Sequence, residues 1–177
     1  MSLTQNILDQ HAAPGHPAGA AGTTFVCPDL LLADRETSRL VLGRFAAIGG
    51  GLSAIDCLVA SDRPGVPAWS GGDPTFSEFQ RVTLESGARL VPPRGGDRAV
   101  LALESLAAPG RLFATLGPAP EAGALGALVL PVGELEALTL LRGEPLEIEP
   151  APAHRIELSG ELPSRCDGHD VAGALLA

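Results

Sequence analysis

Gly110–Gly133 reads GRLFATLGPAPEAGALGALVLPVG, and the fold class turns on it. Leu112–Thr115 is a short apolar run and predicts a strand. The turn Leu116-Gly117-Pro118-Ala119-Pro120 cannot prolong it, because two prolines remove backbone donors. Gly123–Leu130, built of glycine, alanine, leucine and valine, predicts a small-residue helix able to pack close to a sheet. Glu134–Arg142 predicts a further helix, with Gly143 as its stop. A strand and a helix joined by a glycine-bearing turn is the repeating unit of layered α/β domains.

The same alternation extends in both directions. Residues 3–12 predict a helix with Ser2 as N-cap and with Leu3, Ile7, Leu8 and His11 on one face. Residues 13–22 read as a loop. Thr23–Val26 and Leu30–Ala33 are β-type runs on either side of Pro28. Thr37–Ile48 predicts a helix with Leu40, Val41, Arg44/Phe45 and Ile48 at helical spacing, ended by Gly49-Gly50-Gly51. That triple glycine follows a helix, so it is not the glycine turn of a dinucleotide site, which follows a strand. Ala54–Ala60 predicts a buried parallel strand, residues 61–74 a proline-bearing loop, Thr75–Ser86 a helix with Phe76, Phe79 and Val82/Thr83 inward, and Arg89–Val91 a strand. Residues 99–107 fit helix or strand equally. Gly143–Pro150 is acidic and reads as a solvated connection, Ile156–Leu158 as a strand, and Asp170–Leu176 as a terminal helix. The expected fold is therefore α/β, a three-layer α/β/α arrangement with a largely parallel sheet, in one domain spanning residues 1–177.

Composition narrows the chemistry. The chain has 177 residues and a net charge of −9, and its mean hydropathy is +0.22. Its 12 basic residues are all arginines, scattered from Arg35 to Arg165. They form no basic face for phosphates, and the 5 Phe and single Trp offer no stacking platform, so nucleic acid is not an expected partner. Neither lysine nor tyrosine occurs, which removes Schiff-base chemistry and tyrosine acid catalysis. No apolar run reaches the ~18 residues of a membrane span, and no basic-then-apolar leader opens the sequence, so a cytoplasmic protein is expected. Cys27, Cys57 and Cys166 are far apart, with no Cys-x-x-Cys and no zinc-finger spacing. They read as reduced thiols.

Several stretches resemble the aconitase-type hydro-lyases, above all the large subunit of isopropylmalate dehydratase. Leu3–His11 (LTQNILDQH) is similar to that family's opening helix, Val59–Pro67 (VASDRPGVP) to its Asp-His-xx-Pro element, and Gly123–Leu128 to its glycine–alanine frame. Arg155–Asp170 (RIELSGELPSRCDGHD) is similar to a stretch further on. The resemblance implies the aconitase-domain fold. It also implies a histidine after Asp62, another near Ala99–Leu101, and an Asp-Ser-His-Thr run before the glycine–alanine frame. Here Arg63 follows Asp62, and Leu116–Pro120 replaces the polar run. The family's reaction uses a [4Fe–4S] cluster whose cysteines come from a later part of its large subunit, and none of the three cysteines here matches them. No cofactor and no metal is therefore expected, and a standalone isopropylmalate dehydratase is excluded.

The candidate site follows from the ends of the strands. Asp62 and Arg63 come just after a buried strand, where open α/β sheets bind ligands. Arg63 suits a substrate carboxylate and Asp62 a catalytic base, the alternative being a local ion pair. Trp69 lies in the same loop, as a pocket wall or as a lid packed on the core. Arg94 and Arg98 flank two glycines and suit an anion, or a solvated loop. Gly117 lets the backbone approach a ligand. His154 and His169 read as structural. Two functions compete on this basis. One is a cofactor-independent isomerase, cyclase or lyase acting on a small biosynthetic molecule in an apolar pocket. The other is a non-catalytic pseudoenzyme serving as partner subunit, binding module or homo-oligomer.

Overall fold

The computed structural model describes residues 2–16, 22–33, 35–60, 74–91, 106–117, 126–150, 157, 159–161 and 166–168. The chain runs α1 (Leu3–Gln10), β1 (Thr24–Val26), β2 (Leu30–Ala33), α2 (Arg35–Ala47), β3 (Cys57–Ala60), α3 (Pro74–Glu85), β4 (Arg89–Val91), β5 (Leu112–Leu116), β6 (Leu128–Pro131), α4 (Glu134–Leu141) and β7 (Leu146–Ile148). Strands β2 to β6 form one sheet in the order β4-β3-β2-β5-β6, and every neighbouring pair is parallel. The α/β class and the parallel sheet thus follow the sequence reading.

Side chains on successive strand residues point to opposite faces, and both faces of the sheet's centre are apolar. Leu31, Ala33, Cys57, Val59, Leu112, Ala114 and Leu116 join Val41, Leu42 and Phe45 of α2, Phe79 of α3 and Ala137, Leu140 and Leu141 of α4 in one continuous core. Leu30, Leu32 and Phe113 face the other way, packed with Ala127, Leu106, Ala107 and Val129. This two-sided burial is why β2 and β5 read as unbroken apolar runs and do not alternate. Among the described residues the packed helical layer lies on the first face. The elements expected in residues 99–105 and 170–176 lie outside the described residues.

Four expectations are corrected. Gly123–Leu130 is not a helix where it is described: Leu128–Pro131 is a strand, paired in parallel from Leu112↔Leu128 to Thr115↔Pro131. Gly126 at φ +87° breaks the run in a turn, and the β5 ladder then takes the apolar residues that follow. Gly143–Pro150 is not a plain solvated connection. Leu146–Ile148 pairs antiparallel with Thr24–Val26, burying Leu146 and turning Glu147 outward. On α2, which ends at Ala47 before Ile48, Ser38, Val41, Leu42 and Phe45 are the buried face, while Leu40, and Ile48 in the turn beyond, are exposed. On α1, Ile7 and Leu8 are buried and Leu3 is exposed. Ser2 is the N-cap, accepting from the Gln5 amide at 3.1 Å. The helix 170–176 lies outside the described residues, as does most of the strand 156–158.

Candidate functional site

In a parallel sheet all strands finish at one edge. Ligands bind there at the point where the chain switches from building one half of the sheet to building the other. The chain moves from β2 through β3 to β4, then returns to lay β5 against the opposite side of β2 and adds β6. The switch point is therefore the crevice between the carboxyl ends of β2 and β5, at Ala33 and Leu116.

Three described residues shape that crevice. The α2 helix begins at Arg35, two residues beyond the end of β2, so the positive end of its dipole lies beside the crevice. The Thr37 hydroxyl donates to the Leu116 carbonyl at 3.1 Å, tying the first turn of α2 to the last residue of β5. Gly117 follows at φ +100°, a left-handed conformation that glycine adopts without the Cβ clash of other residues. It lets β5 stop abruptly. Two positions before Gly117, Thr115 is 3% exposed, and among the described residues its hydroxyl has no hydrogen-bond partner.

Of the residues proposed from sequence, only Gly117 is described. Asp62, Arg63, Trp69, Arg94 and Arg98 lie outside the described residues. In sequence, Asp62 and Arg63 come two and three positions after Ala60, the end of β3, and Arg94 comes three after Val91, the end of β4. Thr37 and Thr115 escaped the sequence reading. A threonine opening a helix directly after a strand is the signal that points to the first, and nothing in the sequence singles out the second.

The opposite edge of the sheet carries the best-connected polar group. Asp29, just before β2, accepts from the Leu112 amide at 2.9 Å, binds His11 Nε2 at 2.8 Å and accepts from Arg111 at 3.0 Å. Burial works to raise its carboxyl, but the Leu112 amide, His11 and Arg111 together outweigh it and hold the group below the usual aspartate range. This trio stands at the amino ends of β2 and β5, away from the crevice, and joins α1 to the sheet.

The cysteines do not suit the iron–sulfur cluster that the resemblance implies. Cys57 is buried in β3, and burial, aided by Asp56, pushes its thiol up to about 12. Burial of this kind makes the thiol a weak nucleophile. Cys27 and Cys166 are exposed. Among the described residues no three His, Cys, Asp or Glu side chains gather as metal ligands, and no helix is long and apolar enough to cross a membrane. No family model matches the chain, and no curated protein matches it.

Proposed function

We propose that this chain is a repurposed, iron–sulfur-free aconitase-like domain acting as a cofactor-independent isomerase, cyclase or lyase on a small molecule held at the β2/β5 crevice. The observation that carries the reading is the parallel strand order. It gathers the carboxyl ends of β3, β4 and β5 at one edge, and Asp62 and Arg63, Arg94 and Arg98, and Gly117 each follow one of those ends in sequence. Arg63 is assigned to a substrate carboxylate, Asp62 to proton transfer, Arg94 and Arg98 to a second anionic group, and Trp69 to the apolar wall. Chemistry of this kind draws its rate from positioning and acid–base transfer rather than from a metal. The three-layer aconitase-like arrangement belongs to the same proposal.

The test is a titration of the full chain with small hydroxy acids and their cyclic esters, followed by amide NMR. Binding at the crevice moves Thr37, Thr115 and Gly117 together, and Arg63→Gln weakens it. A panel that leaves these amides still, or a purified sample that is brown and dehydrates a malate derivative unaided, refutes the reading.

A second reading, a non-catalytic partner subunit or homo-oligomer, is favoured by Leu40 on α2, Ile48 in the turn after it and Leu84 on α3, all more than half exposed. Light scattering after size exclusion separates the two, because a monomer that recruits nothing removes the second.

A further inference from the structure

The His11 ring has an oxygen acceptor on each nitrogen. Nδ1 lies 2.8 Å from the Ile7 carbonyl oxygen and Nε2 lies 2.8 Å from Asp29 Oδ2. A carbonyl and a carboxylate can only accept, and a neutral imidazole carries one N–H. Both bonds therefore exist together only on the doubly protonated ring.

We propose that His11 is a proton-operated latch that holds α1 on the amino-terminal edge of the parallel sheet, closed when the imidazole is charged and loosened when it is neutral. His11 is the C-cap of α1, where the last carbonyls of the helix favour a cation. Its side chain is 14% exposed, so water replaces a lost bond poorly. Of the charged groups around it, Asp29 favours the charged ring and Arg111 opposes it. Asp29 faces it from the β1–β2 connection, and Arg111, leading into β5, keeps Asp29 paired whatever the charge on His11. Asp9, on its own helix, is engaged with Gln5. Cys27, whose amide donates to the His11 carbonyl at 2.8 Å, is exposed. The Nδ1–Ile7 contact lies within α1, so only Nε2–Asp29 crosses to the sheet; losing the ring proton turns that charge-assisted pair into a weaker neutral hydrogen bond and leaves the Asp29–Leu112 and Asp29–Arg111 bonds in place. The opening is local: it frees the helix that buries Ile7 and Leu8 and spares the sheet.

Amide hydrogen exchange of the full chain tests this, with rates corrected for intrinsic exchange and α1 amides compared with those of β5. Between about pH 5 and pH 8, protection of α1 relative to β5 falls by at least about threefold, as exchanging a charge-assisted pair for a neutral hydrogen bond requires. In His11→Gln the ratio stays constant over the same range. A flat ratio in the wild type, or a slope that survives in His11→Gln, overturns the proposal. If His11→Gln does not fold, the ring nitrogens of the wild type decide by NMR: two N–H groups at the acid end uphold the latch, and a single N–H with α1 still docked overturns it.

Discussion

Replacing Asp29 by alanine removes one carboxylate and three bonds at once. The largest loss is at Leu112, which is fully buried and whose amide donates to Asp29 and starts β5. An orphaned buried N–H costs about 1–3 kcal/mol. The bond from the partly buried His11 adds about 1.5 kcal/mol. Arg111 is half exposed, so its pair with Asp29 adds less than ~1 kcal/mol. Asp29→Ala therefore lowers stability by about 3 kcal/mol at neutral pH, a large share of the total for a domain of this size. Urea unfolding at pH 7 measures it as a fall in midpoint with an unchanged slope. The pH dependence has a fixed sign. A carboxyl lowered in the native state stabilises above its unfolded value, about 3.9, and the contribution disappears as pH falls through the native value. The gap between wild type and Asp29→Ala consequently narrows below about pH 4. A loss under ~1 kcal/mol at pH 7, or a gap that widens in acid, refutes the role given to this residue.

Other expectations follow from single contacts. Thr37→Val removes the tie to Leu116 and costs about 1 kcal/mol, with the Gly117 amide exchanging faster while β3 is unaffected. Gly126→Ala is strained by its positive φ, and its new Cβ would stand 3.2 Å from Pro109 Cγ; urea unfolding shows a loss of about 1–2 kcal/mol. Leu141→Ala empties a fully buried position shared by α4 and the sheet and costs about 2–5 kcal/mol. A thiol reagent at pH 8 labels Cys27 in the native chain and reaches Cys57 only on unfolding, as mass spectrometry of the labelled peptides would show.

The central strands were legible because burial on both faces demands continuous apolar residues, and Leu30–Ala33, Cys57–Ala60 and Leu112–Leu116 supply them. The helices were legible from their 3.6-residue period, although α2 turns Leu42 inward and Leu40 outward, a one-step rotation of the expected face. Strand β6 was hidden because glycine, alanine and leucine before it suit a helix, and only the neighbouring β5 ladder decides for a strand. Strand β7 was hidden by its charge: LEI alternates inward and outward, but the surrounding glutamates read as solvated. At the candidate site, Gly117 was legible from its place after an apolar strand. Thr37 and Thr115 were not, since their meaning depends on β2 and β5 being neighbours although 78 or more residues of chain separate them. The partnership of His11 with Asp29 is equally a product of tertiary structure.

The antiparallel pair β1–β7 has a kinetic consequence. Thr23 meets Glu147 from 124 positions away, and closing so distant a loop is slow because chain entropy must be lost before any contact rewards it. Every strand of the five-stranded sheet lies at or before Pro131. During synthesis it can assemble first, leaving Phe25 and Val26 waiting for a partner that emerges from the ribosome only later. Until then a short apolar strand is unclaimed, and that interval is when a nascent chain is most exposed to pairing with a neighbour.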